Sequence, residues 1–277
     1  MTIRVVTDSG CDIPPALCAE LGIDVVPLTI RFGEDEFVDR KDLTAPEFWK
    51  KVASSPTLPE TAAPSPGAFA AAIQRAADDG ADGVVVVTLS SKMSATIQAA
   101  ELGSEGASIP VRIVDSKNAS LGEGMVAVLA ARAGETSTDV DEVAGVAEST
   151  AERVRLFAAL DTLENLRKGG RIGGAQAMLG GLLSIKPIIT VVDGEVTEAG
   201  KQRTRAKAVA TLVEKVRNLG PLEELAFMHA EAGDAKDILL QFGDLHARAD
   251  VVEGDVGAVI GTHVGPRCVG IVAVLAR

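Results

Sequence analysis

The sequence has no tyrosine, one tryptophan and only 3% aromatic residues among 277. Basic residues are also scarce, 27 against 39 acidic ones, leaving a formal charge of −12. Phosphate backbones are held by basic surfaces and single strands by aromatic faces, so a nucleic-acid partner is excluded. The same acidic balance argues against adhesion to an anionic membrane through a basic face. No uninterrupted apolar stretch approaches about 18 residues, so no integral membrane segment is expected. Met1-Thr2-Ile3-Arg4 runs straight into an apolar strand, without the charged leader, apolar region and cleavage site of a secretory signal, and a cytoplasmic protein is expected.

Cysteine is nearly absent. Cys11, Cys18 and Cys268 match neither a disulfide framework nor a zinc spacing and read as small buried thiols. The three histidines, His229, His246 and His263, have no partner at metal-ligand spacing, so no zinc site is expected. There is no G-x-x-x-x-G-K-[ST] loop and no G-x-G-x-x-G after a strand, which argues against a bound nucleotide phosphate. No cofactor is expected.

What the chain does have is 47% hydrophobic residues and enough length to bury roughly three-quarters of the surface its unfolded form exposes. Two domains are the natural division at this size. The first half alternates apolar strands with alanine-rich helical patterns, the signature of a parallel sheet covered on both faces. Ile3–Thr7, Gly83–Thr88 and Val111–Val114 are its strands, and helices are predicted from Pro14-Pro15, from about Met93 and from about Ser120. The stretch from Ser54 to Pro66 holds four prolines and reads as a stiff loop, with Ser65-Pro66 opening a helix over Gly67 to Asp79.

The character changes near residue 153. Val154 to Leu160 is a strand pattern, Asp161 with Glu164 suggests a capping box, and Gly169-Gly170 ends that helix. Asp193-Gly194 between Ile188–Val192 and Glu195–Lys201 predicts a hairpin with a type I′ turn. A helix over Thr204 to Asn218 places Val209, Leu212, Val213 and Val216 on one face, and Leu225–His229 and Val269–Leu275 complete the strands. The expected fold is α/β in two domains. Residues 1–153 form an N-terminal parallel-sheet α/β/α domain, and 154–277 a C-terminal α/β domain with a mixed or antiparallel sheet.

The first three strands end in hydroxyl or carboxylate residues: Thr7-Asp8-Ser9, Thr88 to Ser91, and Asp115-Ser116. Loops leaving the carboxyl ends of parallel strands are where ligands bind. Ser90-Ser91-Lys92-Met93-Ser94-Ala95-Thr96 sets hydroxyls and amides at a helix start, which suits an anionic group. For any one of these serines, capping its own helix is the simpler role. His246 reads as a surface residue and His229 as a core histidine or a ligand contact, whereas His263 sits in a specialised loop, Gly261 to Pro266, and is the leading imidazole candidate. Gly169-Gly170-Arg171-Ile172-Gly173-Gly174 follows a helix, so capping or packing is its preferred role. Arg167, Lys168 and Arg171, and again Lys201, Arg203, Arg205 and Lys207, form basic clusters that solvated faces or an acidic partner explain.

Taken in order, these motifs together with Thr61-Ala62-Ala63-Pro64-Ser65 resemble the DegV family over essentially the full length. The resemblance implies a carrier that holds one long-chain fatty acid in a tunnel between two domains. It also implies the carrier's role as the fatty-acid-binding subunit of a bacterial fatty acid kinase, presenting the carboxylate to a separate ATP-dependent kinase subunit that makes an acyl phosphate. It assigns the carboxylate contacts to Thr61, Ser94, the Ala95 amide and His263, and turns Arg171 and Arg203 toward the phosphate or the kinase; no catalytic residue is assigned. Four positions depart from the family pattern: Ala62-Ala63 where Ser-Gln is usual, and Ala95 and Arg267 where glycines are usual. Burying about fifteen methylenes contributes on the order of 12 kcal/mol, against association costs of roughly 4–15 kcal/mol, so tight binding requires a preformed aliphatic tunnel. The residues alone also admit a free-standing enzyme acting on a small polar or phosphorylated substrate at the same crest, or an interaction domain whose serines only cap helices.

Overall fold

The computed structural model describes residues 3–180, 185–242, 245 and 251–277; His246 lies outside them. The chain begins with β1 (Ile3–Asp8), α1 (Pro15–Leu21), β2 (Asp24–Val26), β3 (Thr29–Phe32), β4 (Asp35–Val38), α2 (Ala45–Ser54), β5 (Glu60–Ala62) and α3 (Pro66–Asp78). It continues through β6 (Gly83–Thr88), α4 (Thr96–Ser104), β7 (Val111–Asp115), α5 (Leu121–Gly134) and α6 (Val140–Arg153). Strands β2-β1-β6-β7 pair in parallel. All six residues of β6 are buried, as its unbroken valine run requires of a strand covered on both faces.

A second, small sheet, β4-β3-β5, is antiparallel. Here the structure corrects the expected loop over 54–66. Glu60-Thr61-Ala62 pairs with Arg31-Ile30-Thr29, because Pro59 and Pro64 flank these three residues rather than interrupt them and no ladder donor is lost. Helix α4 starts at Thr96 rather than near Met93, since the amides of Met93 and Ser94 turn back onto the Ser90 carbonyl at 2.9 and 3.1 Å.

The chain then forms β8 (Val154–Ala159), α7 (Glu164–Lys168), β9 (Lys186–Val192), β10 (Glu195–Gln202), α8 (Arg205–Arg217), β11 (Leu222–His229) and α9 (Ala235–Leu239). It ends with β12 (Val252–Asp255), α10 (Ala258–Val264) and β13 (Val269–Leu275). The second large sheet has the order β10-β9-β8-β13-β11-β12, antiparallel except where β11 meets β12. Asp193 (φ 48°) and Gly194 (φ 83°) make the predicted left-handed hairpin turn. The capping box expected at Asp161 does not form, because its carboxylate binds Lys186 Nζ at 2.8 Å, leaving Thr162 Oγ1 to accept the Glu164 amide. The motif Gly261 to Pro266 is not a loop either: residues 261–264 close α10, which Gly265 (φ 75°) caps.

Helix α5 explains how the two large sheets share a core. Residues 121–128 are buried on every side, including Leu121, Met125, Val126 and Val128, as a predominantly apolar helical stretch requires. The largest buried cluster joins Val5, Val85 and Val87 of the first sheet through α5 to Leu156, Met228 and Val272 of the second. All three cysteines are buried and free.

Candidate functional site

Most crest hydroxyls are taken up by bonds within the protein itself. Ser9 Oγ accepts the Leu28 amide at 3.0 Å, Ser90 Oγ donates to the Gly194 carbonyl at 2.7 Å, Ser91 Oγ donates to Asp115 at 2.5 Å, and Ser65 caps α3. Asp8 ties two crest loops together by accepting the Gly10 and Leu89 amides at 2.8 and 2.9 Å. Its complete burial pushes its carboxyl up to about 6. Beside it, Glu123 on α5 is buried without a cation in contact, accepts Thr7 Oγ1 at 2.9 Å, and is raised well above the usual range by desolvation and by Asp8. Two enclosed carboxyls side by side hold a proton between them.

Ser94 behaves differently. It sits where the 90–95 turn meets α4, its Oγ 2.8 Å from Thr96 Oγ1, and it lines a cavity between the two large sheets. The cavity gives the centre of a water-sized sphere about 200 Å³ in which to move. Leu28, Leu89 and Met93 wall it from the first half, and Leu156, Ile189, Val191, Val196 and Val259 from the second. Among the described residues, no Phe, Tyr or Trp side chain lines it.

One end of this cavity is polar. Thr61 on β5, Ser94, Ala95, Arg171 and His263 on α10 all line it. Thr61 Oγ1 lies 3.1 Å from His263 Nε2, and His263 Nδ1 is enclosed without a protein partner. Burial and then the charge of Arg171 lower the imidazole from 6.5 to about 4, so the ring is neutral at pH 7. Arg171 donates from Nε to the Met93 carbonyl at 3.0 Å and from Nη1 to the Gly169 carbonyl at 2.6 Å. It has no carboxylate partner among the described residues, so its positive charge is unopposed. Ala95 precedes α4, and the first amides of a helix have no intrahelical acceptor. The polar end is thus built to receive an anion from hydroxyls, amides and one guanidinium.

Thr61, Arg171 and His263 also face a surface groove with Pro56, Pro59, Asn165 and Lys168. Five of the six residues singled out in the sequence therefore meet; Arg203 does not line the cavity and is exposed. His229 ends β11 half-buried, its Nε2 3.6 Å from Asp255 and away from this site. Gly169 was not foreseen as part of the site: a methyl group there would overlap the His263 ring. The sequence signal was the glycine pair after α7, which accounts for a helix end but not for the ring packed on it. Arg267, at a position where glycine is usual, has φ 62°, the left-handed conformation that favours glycine. Ala95 has φ −79° and needs no glycine.

Among the described residues, no group of three or more His, Cys, Asp or Glu side chains is arranged to hold a metal ion. No helix among them is long and apolar enough to cross a membrane.

Comparison with known proteins gives a consistent result. A DegV-domain protein of Deinococcus radiodurans is 35% identical over 276 residues, covering 98% of each chain. One from Mycobacterium tuberculosis is 36% identical over 276 residues, covering 98% of this chain and 96% of its own. Among solved structures, a DegV family protein of Thermus thermophilus described by its fatty-acid binding superimposes with a TM-score of 0.90 at 34% identity, covering all of both chains. DegV of Bacillus subtilis, described as a fatty acid binding protein, gives 0.87 at 28% identity with the same full coverage. The model of the DegV family, whose description is an uncharacterised protein family, matches residues 2–276, and the chain belongs to that family.

Proposed function

We propose that this protein holds one long-chain fatty acid, its tail in the aliphatic cavity between residues 1–153 and 154–277 and its carboxylate at the polar end. Thr61 and Ser94 donate hydroxyl hydrogen bonds to the carboxylate and the Ala95 amide adds a third, while neutral His263, carrying its one N–H on Nε2, donates to Thr61 Oγ1 and so turns that hydroxyl's proton toward the carboxylate. The observation that carries this reading is Thr61 against a neutral His263, 3.1 Å apart, beside the unopposed charge of Arg171 in a cavity lined mainly by aliphatic side chains. The fatty-acid binding described for the Thermus and Bacillus proteins supports it.

The chemistry that follows is presentation rather than catalysis by this chain. A carboxylate is already ionised near pH 7 and needs no general base before it attacks a phosphoryl group. What remains is positioning and charge neutralisation, which Arg171 supplies at the site and a separate ATP-dependent kinase subunit completes. Arg203, exposed outside the cavity, faces that subunit. A carboxylate oxygen bonds to the γ-phosphorus of ATP as the bond from that phosphorus to the bridging oxygen breaks, giving an acyl phosphate and ADP. A bound carboxylate raises the pKa of His263, because an opposite charge favours the imidazolium.

Thr61 and His263 would also serve as nucleophile and base of a free-standing enzyme, but two observations disfavour that. An imidazole at about 4 is a weak base at neutral pH, and its second nitrogen has no protein group to orient it. The test is extraction of the purified protein into organic solvent followed by mass spectrometry of the extract. One fatty acid per chain is expected. An empty extract together with no uptake of added fatty acid refutes the proposal. Incubation with ATP and fatty acid, with and without a kinase subunit, then separates carrier from enzyme: turnover by this chain alone overturns the carrier role.

A further inference from the structure

Helix α10 brings His263 to Thr61, yet it belongs to the second half of the chain and Thr61 to the first. Its middle is set by Gly261, where a side chain would collide with Phe48 and Trp49 of α2. Its start is set by Asp12. The Gly257 amide, at the N-cap of α10, donates to Asp12 Oδ1 at 2.9 Å, and Ser120 Oγ donates to Asp12 Oδ2 at 2.5 Å. A Cβ at residue 257 would lie 2.9 Å from the same Oδ1, so any side chain there would push the Asp12 carboxylate out of its present position.

Asp12 is 3% exposed, and it and Ser120 have φ values of 51° and 53°. Non-glycine residues rarely adopt that conformation, and it persists where surrounding structure enforces it. Burial raises the Asp12 carboxyl to about 7; of the charged or titratable groups around it, Arg40 lowers it and Asp39 raises it, and its own charge raises Glu123 and Cys268. Glu253 and Asp255 share its surface cleft. None of them replaces the bond to Gly257.

We infer that Asp12 is a positioning residue for the head-group site, pinning the start of α10 to the first half so that His263, at the other end of the helix, is held against Thr61. This rests on the fatty-acid reading only for its consequence in binding; the pin itself acts on the empty protein.

The experiment compares wild type, Asp12→Gly and Asp12→Asn. Glycine deletes the carboxylate while tolerating the left-handed backbone, and asparagine keeps an acceptor for Gly257. His263 is followed by NMR of the ring in delipidated protein, with His263→Gln assigning the resonance. In D12G its titration midpoint is expected to rise by at least one unit from about 4 toward the ordinary 6.5, as water reaches a loosened ring. Palmitate affinity is expected to fall at least tenfold. D12N is expected to stay within half a unit and threefold. A general loss of stability leaves a native-state imidazole titration unmoved, so an unchanged midpoint in D12G overturns the inference. Should D12G fail to fold, a shift of one unit or more in D12N overturns it instead. A moved midpoint in a protein that binds no palmitate even as wild type supports the pin and refutes the fatty-acid reading alone.

Discussion

Gly169 and His263 are packed so closely that no side chain fits between them: a Cβ on Gly169 would overlap Nδ1 and Cε1 of the imidazole. The glycine after α7 therefore does more than end a helix. It leaves the space that lets the ring reach Thr61, and it lies two residues before Arg171, whose Nη1 donates to the Gly169 carbonyl. Gly169→Ala is expected to displace the imidazole and weaken fatty-acid binding about tenfold, on the order of 1.4 kcal/mol. Gly170→Ala is the control. Gly170 has φ 70° with open space around it, so its substitution is expected to lower the melting temperature but not the affinity. Displacement of a fluorescent fatty acid reads both variants, and equal affinities for G169A and wild type refute the assignment.

Removing the two hydroxyls tests the carboxylate contacts directly. Thr61→Ala and Ser94→Ala are each expected to weaken binding by about 1.5–3 kcal/mol, the range for hydrogen bonds to a charged group. Calorimetric titration with palmitate measures both. If the double variant binds as wild type does, the carboxylate lies elsewhere.

Arg171 and Arg203 are expected to separate binding from transfer. Arg171→Ala removes the unopposed charge at the cavity and should reduce both fatty-acid affinity and acyl-phosphate formation. Arg203→Ala, on an exposed residue outside the cavity, should leave affinity unchanged and lower the rate only when the kinase subunit is present. A loss of affinity in R203A contradicts its proposed place on the docking face.

The buried carboxyl pair sets a pH dependence whose sign is fixed by burial. Glu123 and Asp8 both have folded pKa values above their unfolded ones, Asp8 at about 6 against 3.8. The folded state therefore holds more protons than the unfolded state over that window. The stability these groups contribute is fully present below about 3.8 and is lost as pH rises through their folded values. Glu123→Gln mimics the protonated acid, since its amide donates to Asp8 and its carbonyl still accepts from Thr7. Its melting temperature relative to wild type is expected to increase from pH 5 to pH 8. A difference that is flat, or that shrinks toward pH 8, rules out a protonated Glu123. His263 acts in the opposite direction, its contribution falling as pH drops from 6.5 to about 4, so the comparison is made between variant and wild type rather than on wild type alone.

Much of the fold is written in local pattern. The valine run of β6, the Asp193-Gly194 turn, and the buried stripe Val209, Leu212, Val213 and Val216 of α8 appear where periodicity and turn chemistry put them. Each depends on neighbours a few residues away, which a sequence displays. Short elements were harder to read. Strand β5 has three residues between prolines and exists because β3 pairs with it, and the capping role expected of Asp161 was lost to Lys186, 25 residues away.

The site divides in the same way. Thr61, Ser94, Ala95, Arg171 and His263 are recognisable from ordered motifs, and the low aromatic content agrees with a cavity walled by aliphatic side chains. Their convergence is a tertiary matter, because Thr61 and His263 are 202 positions apart and are brought together by β5 pairing with β3, by α10 packing on α2 and by the bond from Gly257 to Asp12. The sequence by itself determined the residue types, the periodicities and the aliphatic character. The tertiary structure alone decided which hydroxyls face the cavity rather than cap a helix, and that the imidazole is neutral, because desolvation and hydrogen-bond geometry depend on what packs around a group and not on its chain neighbours.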